Sequence, residues 1–196
     1  MSTVKSKKLQ VGTDASASNN FTIYQPATPD GTLRIGVGNA DSPTEVGRFD
    51  SNGYVATNAP LFRAYIGSTQ SISNTTFTKV NFNTTVYDTT SDFDTSNYRF
   101  VPSVSGYYHV HGAIRYDGST DGKVLVSQIY KNGSNNVAFE GASNGTDSST
   151  QMSVVVYMNG TTDYLEFYTY HNYGVATNIF SGSTLGVFEA HLIQQA

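Results

Sequence analysis

The chain has 196 residues, a formal net charge of −4 and 13% charged side chains, against roughly 25% for an average soluble domain, so Ser, Thr, Asn and Gly must cover most of its surface. That balance excludes the basic surface that nucleic acid requires, and the absence of cysteine excludes disulfides and thiolate metal sites. The start, MSTVKSKKLQVGT, lacks the apolar run of a signal peptide and no stretch reaches the length of a transmembrane helix, so the chain is expected to be made in a cytosol, without nucleic acid or membrane as partner.

In chain order, residues 1 to 20 have few apolar side chains (Met1, Val4, Leu9, Val11, Ala15 and Ala17) and are predicted to form an arm that cannot fold alone. Its basic cluster, Lys5, Lys7 and Lys8, is the candidate anchor to acidic groups on a partner. From 21 to 57, two-residue alternation in FTIYQ, TLRIGVGN, EVGRF and YVAT, with PDG and DSNG between, predicts small hairpins with too little apolar mass to stand alone. NAP at 58 to 60 marks a boundary, because Pro60 holds the preceding residue extended. Beyond it, strands are predicted over 61–67, 76–88, 98–102, 106–117, 123–133, 136–143, 149–159, 163–172 and 184–195. Nine or so strands at this spacing predict a two-sheet, all-β sandwich.

Several of these segments carry a resemblance. LFRAYI, KVNFN, FDTSNYRFVPSVSGYYHVHGAI, IYKNG, SVVVYMNGTTDYLEFYTYHN and GVFEAHLI resemble the C1q/TNF-like jelly roll. In that family an aromatic, a Pro and a Gly lead into a Tyr-rich strand, to which Phe100, Pro102, Gly106, Tyr107 and Tyr108 correspond. Phe188, Ala190 and Leu192 fall where its last strand alternates aromatic, small and aliphatic, with Ala190 where Gly is more usual. The resemblance implies a C1q/TNF-like jelly-roll sandwich over 61–196, preceded by a small N-terminal β-rich arm or domain over 1–58. It further implies a homotrimer packed around an axis, with Tyr107, Tyr108, His109, His111, Tyr157, Phe167, Tyr168, Tyr170 and Phe188 as candidates for core or subunit contact.

The blocks PDGTLRIGVGN and GRFDSNGYV are similar to small β modules of tailed-bacteriophage virion proteins. Together the two resemblances imply a trimeric capsid decoration or cement protein on the exterior of a phage particle. It would assemble in the host cytoplasm, with the arm on the major capsid protein or another virion protein. The alternative is a tail fibre-tip or receptor-binding adhesin that recognises a host surface glycan; at either location, exposed loop aromatics such as Tyr116 or Tyr173 are the candidates for glycan contact.

Chemistry-bearing residues are sparse. His109 and His111, two apart on one strand, share a face and could begin a zinc or nickel site, but a third ligand is needed, His171 and His191 fall on other predicted strands and no Asp or Glu sits at a telling spacing. Asp88, Asp92 and Asp94 lie in turn-like surroundings, where short carboxylates cap backbone groups. They supply neither a spaced acid pair nor a defined calcium loop. The expectation is no enzyme, no catalytic residue, no metal and no cofactor.

Overall fold

The structure is a computed structural model that describes residues 8–16, 19–50, 53, 55–56, 59–118, 122–143 and 148–196. The chain divides into two compact units, Met1–Asn58 and Ala59–Ala196. Among the described residues every regular element is a strand and none is an α-helix.

The first unit is one antiparallel meander of β1 (Lys8–Val11), β2 (Phe21–Tyr24), β3 (Leu33–Val37), β4 (Thr44–Phe49) and β5 (Val55–Ala56). The first strand places residues 8–11 of the expected arm in this sheet, on a neighbour that lies beyond residue 20. KLQV alternates in step with FTIY, so Leu9 lies opposite Ile23 and Val11 opposite Phe21 in a complete ladder. Behind it, the Asn20 side chain accepts from the Asp14 N–H at 3.0 Å and donates to the Asp14 carbonyl at 2.8 Å, which closes the loop between the two strands. Lys8 spends its ammonium inside the unit, donating to the Asp41 carbonyl at 3.2 Å. Lys5 and Lys7 lie outside the described residues.

The second unit is a two-layer sandwich. One sheet runs β15 (Ser148–Met158), β12 (Gly106–Tyr116), β18 (Gly186–Gln195), β6 (Leu61–Tyr65) and β9 (Thr84–Asp88). The short strands β7 (Gln70–Ile72) and β17 (Thr177–Ile179) join this sheet at the end of β12. The other sheet runs β10 (Phe93–Asp94), β11 (Arg99–Phe100), β16 (Leu165–His171), β13 (Lys123–Lys131) and β14 (Ser134–Ser143), with β8 (Thr78–Lys79) also on β16. Asn132 and Gly133, with φ of 55° and 75°, form the two-residue turn between β13 and β14, the backbone that the twist of a hairpin favours.

The long strand expected over 76–88 is interrupted. Its middle residues leave the ladder because the Gln70 side chain takes up their backbone groups: its Oε1 accepts the Asn81 N–H at 2.8 Å and its Nε2 donates to the Lys79 carbonyl at 2.8 Å. This lets Val80 and Phe82 turn fully into the core.

That core is aromatic. Phe62 stacks on Phe93 at 4.7 Å and on Phe100 at 4.6 Å, and meets Phe188 edge-on at 5.2 Å. Phe82 and Phe167 complete the cluster. The opposite sheet comes close where β12 carries Gly112: a Cβ built there would lie 2.3 Å from the Phe167 ring. At the far end of β12 the interior is more polar, with the buried Tyr116 hydroxyl 2.6 Å from Thr169 Oγ1 and the Tyr116 ring packed against His171 and Tyr173.

Candidate assembly surface

The stretch GYYHVHGAIRY alternates strictly. Gly106, Tyr108, Val110, Gly112, Ile114 and Tyr116 are buried, while Tyr107, His109, His111, Ala113 and Arg115 face outward. The cause is steric and chemical. Only the even set contains the glycine that admits Phe167, and the Tyr108 hydroxyl donates to the Val104 carbonyl at 2.7 Å, so its ring can be buried without stranding a polar atom. Burial, together with the nearby Asp92 carboxylate, pushes the Tyr108 phenol up to about 12.

The strand registers extend this outward face across five strands. Tyr107 lies opposite Tyr157, with ring centroids 5.6 Å apart. The next row reads Val155, His109, His191 and Leu61, with the two imidazoles 5.1 Å apart. A third row reads Ser153, His111, Glu189, Arg63 and Tyr87, with Arg63 and Glu189 paired at 3.6 Å. Ile193, at the bulge in β18, adds to the edge near Tyr107. Val155 is 54% exposed, Ile193 53%, Tyr107 47% and Tyr157 43%. Tyr107, Val155, Tyr157 and Ile193 thus form an apolar patch on β12, β15 and β18, flanked by the two imidazoles and the Arg63–Glu189 pair, of the kind that marks an interaction site.

The other sequence candidates separate from it. Tyr108, Phe167 and Phe188 are fully buried in the core. Tyr168 and Tyr170 lie half-buried on the outside of the opposite sheet, where Tyr168 stacks on Tyr130 at 4.0 Å and Tyr170 packs on Phe77 at 5.0 Å. The structure thus brings together Tyr107, His109, His111 and Tyr157 and leaves the remaining five elsewhere. Val155, Ile193, Leu61, Tyr87 and His191, which sequence reasoning did not assign to a contact surface, complete the face. Their signal was parity: Val155 shares it with Tyr157, and the core set Phe188, Ala190 and Leu192 forces residues 191 and 193 outward.

The chemistry-bearing groups are occupied structurally. Asp88 accepts from the backbone N–H groups of Asp92 and Phe93, at 3.1 and 2.9 Å. Asp94 accepts from the N–H groups of Ser96 and Asn97, and its carboxyl is held below the usual range by the hydrogen bonds from the Asn97 side chain and backbone. His171 accepts the Tyr173 N–H on Nδ1 and donates from Nε2 to the Ile72 carbonyl at 3.0 Å. No group of three or more metal-binding side chains occurs among the described residues. His109 Nε2 lies 2.6 Å from Ser153 Oγ, but the pair sits on the open sheet face and no carboxylate is bonded to the other ring nitrogen among the described residues. Tyr116 and Tyr173, expected on exposed loops as glycan contacts, are instead buried, because their rings fill the polar end of the core around His171.

No protein-family model matches the sequence, and no curated protein matches it. Solved structures do. The globular domain of a zebrafish complement 1qA protein shares 16% identity over 70% of this chain and 99% of that one, with a TM-score of 0.55. Eiger TNF from S. frugiperda shares 10% over 70% of this chain and 95% of that one (TM-score 0.53). Murine APRIL shares 9% over 69% of this chain and 99% of that one, also at a TM-score of 0.53. At these identities the likeness concerns the fold, and with the two antiparallel sheets described above it makes the chain an all-β protein built on a C1q/TNF-type jelly roll.

Proposed function

We propose that the chain is a non-enzymatic structural protein that works as a homotrimer of jelly rolls and decorates or cements the exterior of a tailed-phage capsid. The trimer rests on one observation, the exposed row of Tyr107, Val155, Tyr157 and Ile193 on the sheet that contains β12. A solvated monomer gains nothing from an exposed apolar patch shared by β12, β15 and β18, whereas symmetric copies bury it in one step. The lack of a carboxylate behind the His109–Ser153 pair, and the use of Asp88 and Asp94 as caps, support a role without chemistry. The likeness of the first 58 residues to small virion modules supports the particle location.

Sedimentation equilibrium at micromolar concentration tests the trimer: the mass expected is that of three chains. Tyr157→Lys should reduce it to that of one chain while the far-ultraviolet circular dichroism stays that of a β protein. A native chain that sediments as a monomer would overturn the reading. Location is tested by adding the protein to particles that lack it and imaging the added density. Density over the shell supports decoration, and density at the tail supports the receptor-binding adhesin instead.

A further inference from the structure

The five-stranded sheet of the first unit is inside out for a module that meets only water. By the strand registers Leu9, Val11, Phe21, Ile23, Leu33 and Phe49 share one face, and each is between 37% and 59% exposed. The opposite face is polar, and its charged side chains pair within the unit. Arg34 pairs with Asp30 and, at 3.0 Å, with Glu45, while Arg48 pairs with Glu45 at 2.5 Å. Thr22 is buried there, and Pro43 and the Tyr24 ring close over Gly36. Six half-exposed apolar side chains leave on the order of 500 Å² of contiguous apolar surface, near the top of what a monomer carries, and a single sheet layer needs a second layer to be stable.

We propose that this face packs against the same face of the other copies of the chain, so that the first units build a shared apolar core of their own. The proposal rests on the trimer reading of the jelly roll and extends it to a second, separate contact. Three observations select copies of the chain as the occupant. The first 58 residues hold five basic and five acidic side chains, so no net charge opposes their convergence. The first unit ends at Asn58 and the jelly roll begins at Ala59, so copies joined through their jelly rolls hold their sheets at an effective concentration on the order of millimolar. The area also fits: interfaces are a little over half apolar, so about 500 Å² of apolar surface corresponds to roughly 900 Å² per chain, close to the ~800 Å² per partner of a stable contact.

The chain has no cysteine, so single cysteines report the contact directly in the full-length protein. Ile23→Cys and Leu33→Cys place a thiol on the apolar face, and Gln10→Cys places one on the opposite face. Under mild oxidation at low protein concentration, the first two should give disulfide-linked dimers on a non-reducing gel and the third should remain single chains, with sedimentation recording three chains throughout. A three-chain mass with no cross-link at either apolar position, or with equal cross-linking at Gln10→Cys, overturns this inference and leaves the jelly-roll trimer standing. A one-chain mass overturns both. Circular dichroism of each variant confirms that the sheets are folded before the gel is read.

Discussion

In the jelly roll, the ring of Phe62 is covered by Phe93 and Phe100 and no part of it reaches solvent. In the five-stranded sheet, Phe21 sits in an equally regular ladder, between Val11 and Val37, and is 47% exposed. Both phenylalanines come from the same two-residue alternation and both have ideal strand neighbours. What differs is the number of layers. The alternation of a strand sorts side chains into two faces, but burial needs something to lie against one of them, and among the described residues only the second unit contains its own second sheet. One unit therefore carries its stability within the chain, and the other must draw on contacts beyond itself.

The comparison breaks most sharply at the core. Phe62→Ala should lower the unfolding free energy of the jelly roll by about 3–5 kcal/mol, measured by denaturant titration, at any protein concentration. Phe21→Ala should leave that transition in place and show its effect only where copies associate. Equal losses at the two positions would mean that the two phenylalanines are covered alike after all.

A smaller loss is expected where the two layers touch. Gly112→Ala drives a methyl group into the Phe167 ring and should cost about 1–3 kcal/mol, as overpacked cores do. In a thermal-melt cycle with Phe167→Leu, the combined change should cost less than the sum of the two. Additive costs would show that the sheets have slack at this point.

The smallest effects come from pH. Burial raises the Asp163 carboxyl, but hydrogen bonds from Asn132, Lys131 and the Asn159 N–H outweigh it and hold it below the usual value. The folded state therefore binds its proton less tightly than the unfolded chain does. Its stabilisation is complete above the unfolded carboxylate value of about 4 and is lost as pH falls through the lower folded value. The melting temperature should stay level above pH 5 and drop below about pH 4, and Asp163→Asn should flatten the drop. At the alkaline end the sign reverses: with Tyr108 pushed up to about 12, stability is lost as pH rises from about 10 through that value. In the first unit Asp30 is lowered to about 2, chiefly by hydrogen bonds from Thr32, but it is open to solvent and so should contribute least.

The long strand β12 was legible because it repeats: residues 106–116 alternate over eleven residues, and the period survives any local irregularity. The short ones were not. β7, β10 and β17, two or three residues each, are set by the partner they reach, and nothing in QSI, FD or TNI carries a period. Lys8–Val11 carries the alternating pattern of a strand, and its low apolar content is a poor measure of its order. A strand at the edge of an existing sheet needs only one neighbour to supply its hydrogen bonds. For the candidate surface, alternation separated Tyr107 from Tyr108 without saying which of them lay inside. That was decided by Gly112, and a glycine opposite a buried phenylalanine is visible only once the two sheets are superposed. Tyr116 and Tyr173 went astray for a related reason, since turn residues beside an aromatic do not reveal that its ring folds back beneath them.

The turns after β13 and β15 have a chemical consequence. Asn132 and Asn159 each precede a glycine, the sequence in which the next backbone nitrogen most readily attacks the side-chain amide, expels ammonia to close an imide ring and, once water opens that ring, leaves an acid behind. Closure requires the amide to swing free. Asn159 Oδ1 instead accepts the backbone N–H groups of Thr161, Thr162 and Asp163. Asn132 Oδ1 accepts from the Tyr164 N–H, while its Nδ2 donates to Asp163. The hydrogen bonds that set the shape of these two turns also keep their amides from ageing, so deamidation at both positions should proceed far more slowly in the folded protein than in peptides of the same sequence.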